Sequence, residues 1–383
     1  MAGVLEGIRV LDFGRYIAAP FCAALLADMG AEVIRIDREG GNEDRWMVPV
    51  TRDGEGCTFL QVNRNKMGIT LDITTPDGRE ALNELIATAD VVVTNMPKEA
   101  LKGLGLDYET IAKIKPDIIC TNVSTFGSIG RYRNRIGFDM LAQAMAGPMH
   151  MTGDGKTPMR AGVPFCDYGT ALCAALGTLA AIIERQKSGK GQLVEAALLH
   201  TALTMTSGFL IEQALLKTNR RATVNRSPVA GPSDCYKTKD GWIFLAAISN
   251  PIFKRLCNML GEQAWLTDPR FKDDLARGDN GEILSERMQQ WCSERTSDEA
   301  IATLEKARIP CGPVFALQQT LEDPHIREEG FLQPTAHPAL DGAAPLVTTP
   351  FRLSRTPCKI ERPAPTLGQH NAKYVKSRKR NVA

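Results

Sequence analysis

Ile8-Arg9-Val10-Leu11-Asp12-Phe13, Pro20-Phe21-Cys22-Ala23-Ala24-Leu25-Leu26-Ala27-Asp28-Met29 and Ala31-Glu32-Val33-Ile34-Arg35-Ile36-Asp37 follow one another near the start of the chain. The first run has the length and apolar content of a strand. The second carries proline in its first turn and is stopped by Gly30, as a helix is, and the third is again a strand. The rhythm recurs. Residues 69–73 are strand-like, and Thr75-Pro76-Asp77 supplies an N-cap, a first-turn proline and an acid for a helix running to about Ala89. Val91-Val92-Val93 is a buried strand, residues 111–114 belong to a helix stopped before Pro116, and residues 118–123 form another strand. Strands alternating with helices predict an α/β fold with a mostly parallel sheet covered on both faces.

Further along, residues 138–146 and 168–185 have helical apolar spacing. The turn Lys187-Ser188-Gly189-Lys190-Gly191 leads to a strand over 192–196, and a long helix is expected from about His200 to Leu216. Residues 219–232 are polar and carry three arginines, which suggests a linker. Beyond them Lys239-Asp240-Gly241 joins two strand-like runs as a hairpin, followed by helices over 251–260, 284–293 and 298–308. That pattern predicts a smaller α+β lobe. The basic tail, residues 374–383, reads as a frayed terminus.

At 383 residues the chain suits two lobes, and its net charge of +2 creates no field of the kind that gathers nucleic acid. An anionic ligand must therefore meet a local cluster of Lys and Arg. The opening Met-Ala-Gly-Val-Leu-Glu-Gly has no basic start and no apolar core, so no signal peptide is expected. The longest apolar run, residues 170–183, falls short of the roughly 20 residues a membrane span needs and reads as a buried helix. The 10 cysteines form no Cys-x-x-Cys pair and the 5 histidines are scattered, so no metal site is expected. Reduced thiols in a cytoplasmic protein are the expectation.

Asp167 lies in Gly162-Val163-Pro164-Phe165-Cys166-Asp167-Tyr168-Gly169, just before the long apolar helix. An Asp there is ordinarily an N-cap. The same place, facing unpaired N–H groups and the positive end of the helix dipole, keeps a carboxylate ionised, as a carboxylate nucleophile must be. Basic residues recur after the strands: Arg35 and Arg38, then Lys98 and Lys102, then Arg131, Arg133 and Arg135. In an open parallel sheet the ligand crevice lies at those strand ends, so the set suits phosphates or ordinary solvated charge. No P-loop or Gly-x-Gly-x-x-Gly follows the first strand, which weighs against a dinucleotide.

Several blocks together resemble the family III coenzyme A transferases, which include formyl-CoA and carnitine CoA-transferases with the α-methylacyl-CoA racemases as relatives. They are Leu5-Glu6-Gly7-Ile8-Arg9-Val10-Leu11-Asp12, the block from Leu25 to Arg38, Asn63-Arg64-Asn65-Lys66 with Leu71-Asp72, and Asn95 with Leu104-Gly105-Leu106. Gly137-Phe138-Asp139 with Ala142-Gln143-Ala144, Lys187 to Gln192, Pro310-Cys311-Gly312-Pro313-Val314 and Leu367-Gly368 complete the order. The resemblance makes Asp167 the nucleophilic aspartate. It implies coenzyme A contacts at Ile17, Ala18, Arg38, Leu71, Asp72, Ile73, Thr74, Asn95, Met96, Lys98, Lys102, Arg135, Ile136, Gly137 and Phe138. Where many members have Arg-Pro-Gly after the Asn, this chain has Met96-Pro97-Lys98-Glu99, and a basic position of the family falls at Gly103, with Lys102 beside it. The glycine run of formyl-CoA transferases is missing around residues 227–241, which argues against formate or oxalate.

The family's fold implies a Rossmann-like large domain built from both chain ends, residues 1–218 and 319–383, with a linker at 219–232 and a small α+β domain at 233–318. It also implies two chains interlocked as a homodimer. The partners implied are an acyl-CoA and a small carboxylic acid, with no metal, nucleic acid or membrane. A racemase needs a His before the Asp of the Gly137-Phe138-Asp139 block, where this chain has Phe138, which moves no proton. A lyase or hydrolase on the same scaffold and a non-catalytic nucleotide-binding protein remain the other readings.

Overall fold

In the computed structural model, which describes residues 3–375, the alternation seen in the sequence becomes a single parallel sheet. Its elements are β1 (Arg9–Asp12), α1 (Ala18–Asp28), β2 (Glu32–Asp37), α2 (Cys57–Val62), β3 (Met67–Thr70), α3 (Pro76–Ala87) and β4 (Val91–Thr94). They continue with α4 (Lys98–Gly103), α5 (Tyr108–Ile114), β5 (Ile119–Ser124), α6 (Asp139–Met145), α7 (Phe165–Ser188), β6 (Leu193–Ala197) and α8 (Leu198–Met205). The strand order is β3-β2-β1-β4-β5-β6, and every adjacent pair is parallel. Alternate residues along each strand face opposite layers. Val10, Val33, Val91 and Val93 share a core with α1 and α7, whereas Leu11, Ile34, Ile36 and Val92 pack with α3 and α5. This two-sided burial explains the nearly unbroken apolar strands.

The start of α3 is capped as the sequence predicts, with Thr75 accepting from the Gly78 N–H. The strand expected over 69–73 is shifted: β3 ends at Thr70, and Leu71 onward forms the turn into α3. The C-terminal segment returns to the same unit. An antiparallel pair, Leu332–Ala336 with Ala343–Val347, was not foreseen from sequence. His370 and Asn371 then bond to the backbone N–H groups of Gly68 and Thr70, covering the free edge of β3.

Two expectations about helices are corrected. The helix expected over 200–216 is two, α8 and Ser207–Leu216, broken at Thr206, whose hydroxyl donates to the Ala146 carbonyl at 3.0 Å. The apolar run 170–183 is part of a 24-residue helix, long enough by length and composition alone to cross a membrane. Its Thr170, Ala171, Ala174, Ala175, Thr178, Ala181 and Ile182 are buried within the unit, as in a core helix.

The chain divides into two compact units, one of residues 1–146, 162–207 and 324–383 and the other of 147–161 and 208–323. The segment 219–232 therefore lies wholly within the second unit. That unit holds the expected hairpin, Ser233–Lys237 with Trp242–Ala246, extended by Cys311–Pro313. Its helices include Asn250–Leu260, Gly281–Ser293 and Ser297–Lys306, packed around Tyr236, Ile243, Leu245, Phe253 and Trp291. Residues 376–383 of the basic tail lie outside the described residues.

Candidate active site

The strand order reverses between β1 and β4, so the loops leaving their C-terminal ends part and leave a crevice. Asn95 ties these loops together: its Oδ1 accepts from the Arg15 N–H at 2.9 Å and its Nδ2 donates to the Arg15 carbonyl at 2.7 Å. Tyr16 is held in the left-handed region at φ 64°, and its ring meets Phe138 edge-on at 5.5 Å. A bulky residue keeps such a conformation only where its surroundings impose it.

A buried lattice of charges adjoins Tyr16, and Asp44 of that lattice accepts from the Tyr16 backbone N–H. Lys66 donates to Asp12, Asn63 and the Pro20 carbonyl at 2.7–2.8 Å. Arg35 donates to Asp37, Asp44, Asn63 and the Gly14 carbonyl. Burial pushes the Lys66 ammonium down to about 8, against the opposing pull of Asp12. Arg35, expected from sequence to join a phosphate-binding cluster, is wholly buried and committed to this lattice. It is not part of the wall of the cavity that Asp167 lines, and it donates to the Gly14 carbonyl in the loop after β1.

Asp167 is not the N-cap of the long helix. The cap position is Pro164, which offers no side-chain acceptor, and Asp167 lies in the first turn. The acceptor comes from Asp139 at the start of α6: its Oδ2 takes the Cys166 N–H at 2.7 Å and the Asp167 N–H at 3.0 Å, while its Oδ1 takes the Gln143 Nε2 at 2.5 Å. The expected free N–H groups facing Asp167 are thus occupied at those two positions. Burial, reinforced by the Asp139 charge, pushes the Asp167 carboxyl up to about 7 rather than holding it low. The turn is fixed laterally as well. Thr170 bonds to Thr201 of α8 at 2.8 Å, and a Cβ on Gly169 would lie 2.7 Å from the Met205 Cε and 3.0 Å from the Thr201 Cγ2, so a larger residue there would press on α8 and require the Met205 side chain to shift. Burial pushes the adjacent Cys166 thiol up to about 12, which leaves Asp167 the better nucleophile of the pair.

Asp167 lines a cavity of about 350 Å³ at the ends of β4, β5 and β6. Of the positions singled out in the sequence, Ala18, Asn95, Met96, Lys98, Arg135, Ile136, Gly137 and Phe138 share its wall with Asp167. Arg133, one of the basic residues noted after the strands, is in the wall as well, and Arg15 adds a cation that the sequence reading did not single out. The loop 125–137 is pinned by the Thr125 hydroxyl donating to the Gly137 carbonyl at 2.7 Å. Arg135 lies over the Phe126 and Tyr132 rings. A Cβ on Gly137 would come within 2.6 Å of Thr125 and 2.9 Å of Phe126, so this corner needs glycine.

Ile17, Arg38, Leu71, Asp72, Ile73, Thr74 and Lys102 are not part of this wall. Leu71 is buried and Ile73 packs against the core under α3. Asp72 accepts from Thr74 in the turn, and Ile17 packs on the α1 core. Arg38 donates to the Gly41 carbonyl and to Glu43, and Lys102 is exposed on α4. Asp139 was missed as a functional residue. Its signal was available in the sequence, an acid opening a short helix in the Gly137-Phe138-Asp139 block, but its partner 28 residues away was not.

The model of the CoA-transferase family III matches residues 5–371. The chain is 34% identical, over 96% of its length and 92% of the relative's, to a succinyl-CoA–D-citramalate CoA-transferase of Chloroflexus aurantiacus. It is 33% identical to a succinate–glutarate CoA-transferase of Agrobacterium fabrum, over 97% and 94% of the two chains. Among solved structures, a CaiB/BaiF family protein from Brucella suis superimposes with a TM-score of 0.85 at 29% identity, covering 97% of this chain and 98% of that one. A doubly wound sheet with a carboxylate at the crevice, matched over nearly its whole length, belongs to CoA-transferase family III. The protein is accordingly an enzyme, a CoA-transferase acting on CoA thioesters and carboxylic acids.

Proposed function

We propose that Asp167 carries the acyl group and then coenzyme A between the two substrates. The observation that carries this reading is the Asp167 carboxylate in the wall of a cavity lined by Arg15, Lys98, Arg133 and Arg135. A carboxylate oxygen of Asp167 attacks the thioester carbonyl, the C–S bond breaks, and a mixed anhydride and CoA thiolate form. The thiolate attacks the Asp167 Cγ, the donor leaves as its carboxylate, and an aspartyl-CoA thioester remains. The acceptor carboxylate attacks that thioester, giving a second anhydride and thiolate. Attack of the thiolate on the acceptor's carbonyl then regenerates Asp167 and yields the new acyl-CoA. No proton is gained or lost. Binding the CoA handle keeps the thiolate's return effectively intramolecular.

The CoA contacts proposed are Ala18, Asn95, Met96, Lys98, Arg135, Ile136, Gly137 and Phe138, with Arg15 and Arg133 as further cations. Short dicarboxylic acids are proposed as acyl partners, since both relatives are named for such acids. The working form proposed is an interlocked homodimer. A cytoplasmic location is proposed as well, supported by ten cysteines that are all unpaired.

Phe138 weighs against α-proton chemistry, because its ring packs on Tyr16 and offers no proton. In heavy water a 2-methylacyl-CoA should therefore show no enzyme-dependent deuterium at its α-carbon, while label from a competent carboxylic acid enters the thioester pool. Rapid α-exchange that is lost in Asp167→Asn would contradict the proposal.

A further inference from the structure

We infer that Asp139 is a positioning residue for the transfer: its carboxylate occupies the N–H groups at the start of α7 and thereby holds the Asp167 carboxylate oriented in a negatively biased site, without touching substrate. This rests on Asp167 being the nucleophile.

Two observations converge. The helix that carries Asp167 has no cap of its own, because Pro164 stands at the cap position. Asp139, almost fully buried, receives three hydrogen bonds, from the Cys166 and Asp167 N–H groups and from Gln143. These fix it against the first turn of α7 from the neighbouring helix. Two helix-start N–H groups that could stabilise a charged Asp167 therefore serve a second carboxylate instead.

The groups around Asp167 define its electrostatics. Cys166 and Tyr168 flank it on its own helix, Asp139 faces it from α6, and Arg15, Lys98, Arg133, Arg135, Asp107, Glu109 and Glu195 line the same cavity. Burial raises the Asp167 carboxyl most, and Asp139 raises it further. A more basic carboxylate is the stronger nucleophile. The repulsion also has a direction. In the anhydride and in the aspartyl thioester Asp167 bears no charge, so both covalent states relieve the strain felt by the free carboxylate beside Asp139. Destabilisation of the resting state alone lowers the barrier to acylation.

The test uses Asp139→Asn, which keeps an oxygen to accept both N–H bonds and removes the charge. Formation of the covalent adduct from acyl-CoA is followed against pH, with hydroxylamine trapping and peptide mapping. In the wild type the acid limb is expected at about 7. In the Asn variant it should move down by about one unit, with the plateau rate lowered about tenfold and KM for acyl-CoA within about twofold. An unmoved limb, with the adduct still on Asp167, reduces Asp139 to a helix cap and leaves the nucleophile standing. An adduct elsewhere in the wild type overturns the nucleophile itself. Should the Asn variant not fold, the wild-type titration decides alone: a limb near the ordinary carboxyl value of about 4 overturns the inference.

Discussion

At Asp167 the sequence context announced a carboxylate at a helix start, and the structure changed what that means. An isolated Asp there would be held ionised by the dipole; this one is opposed by burial and by Asp139. The sign of the pH effect follows. Its folded value of about 7 lies above the ordinary 3.8, so the contribution of Asp167 to stability is present below 3.8 and is lost as pH rises through 7. Asp167→Asn should abolish transfer by at least about a thousandfold. The same variant should be more stable than wild type at pH 8 by about 1–2 kcal/mol, discounted because the carboxylate lines an open cavity, and equal to it near pH 3. Urea melts at the two pH values test this, and equal stability at both would contradict the raised carboxyl. Asp139 was legible as an acid opening a short helix, but not as the partner of Asp167, because nothing in sequence reports which of many acids reaches a given helix end.

Among the elements, strands and helices were legible wherever a full period was present, as in β1, α1, β2 and β4. What composition could not convey was which charges are buried. Arg35 stands in a strand among Ile34 and Ile36 and looks like one more cation at a crevice, yet its partners Asp37 and Asp44 and the bond to Gly14 consume it. The break at Thr206 was hidden because apolar spacing continues across it. The Asn95 side chain joins the β1 and β4 loops. Asn95→Ala leaves the Arg15 N–H and carbonyl without their partner and should cost about 1–3 kcal/mol. By freeing Arg15 and Tyr16, it should also raise KM for acyl-CoA about fivefold while changing kcat less. An unchanged KM would separate this loop from ligand binding.

On the scale of the whole molecule, the covered parallel sheet and the return of the C-terminal segment to it account for where the cavity lies. They leave an apolar outer side on α7, where Leu176 is 69% and Ile183 55% exposed. Such a side on a helix is usually covered by a partner. For an interlocked homodimer, differently tagged dimers mixed for a day under native conditions should form no hybrids, since the chains cannot part without unfolding; ready exchange read by mass would contradict the interlock. The central claim, covalent catalysis by Asp167, is tested most directly by incubating the enzyme with an acyl-CoA and hydroxylamine and mapping the modified peptide. A hydroxamate at Asp167, absent without acyl-CoA, is the predicted result; undiminished turnover with Asp167 unmodified would contradict it.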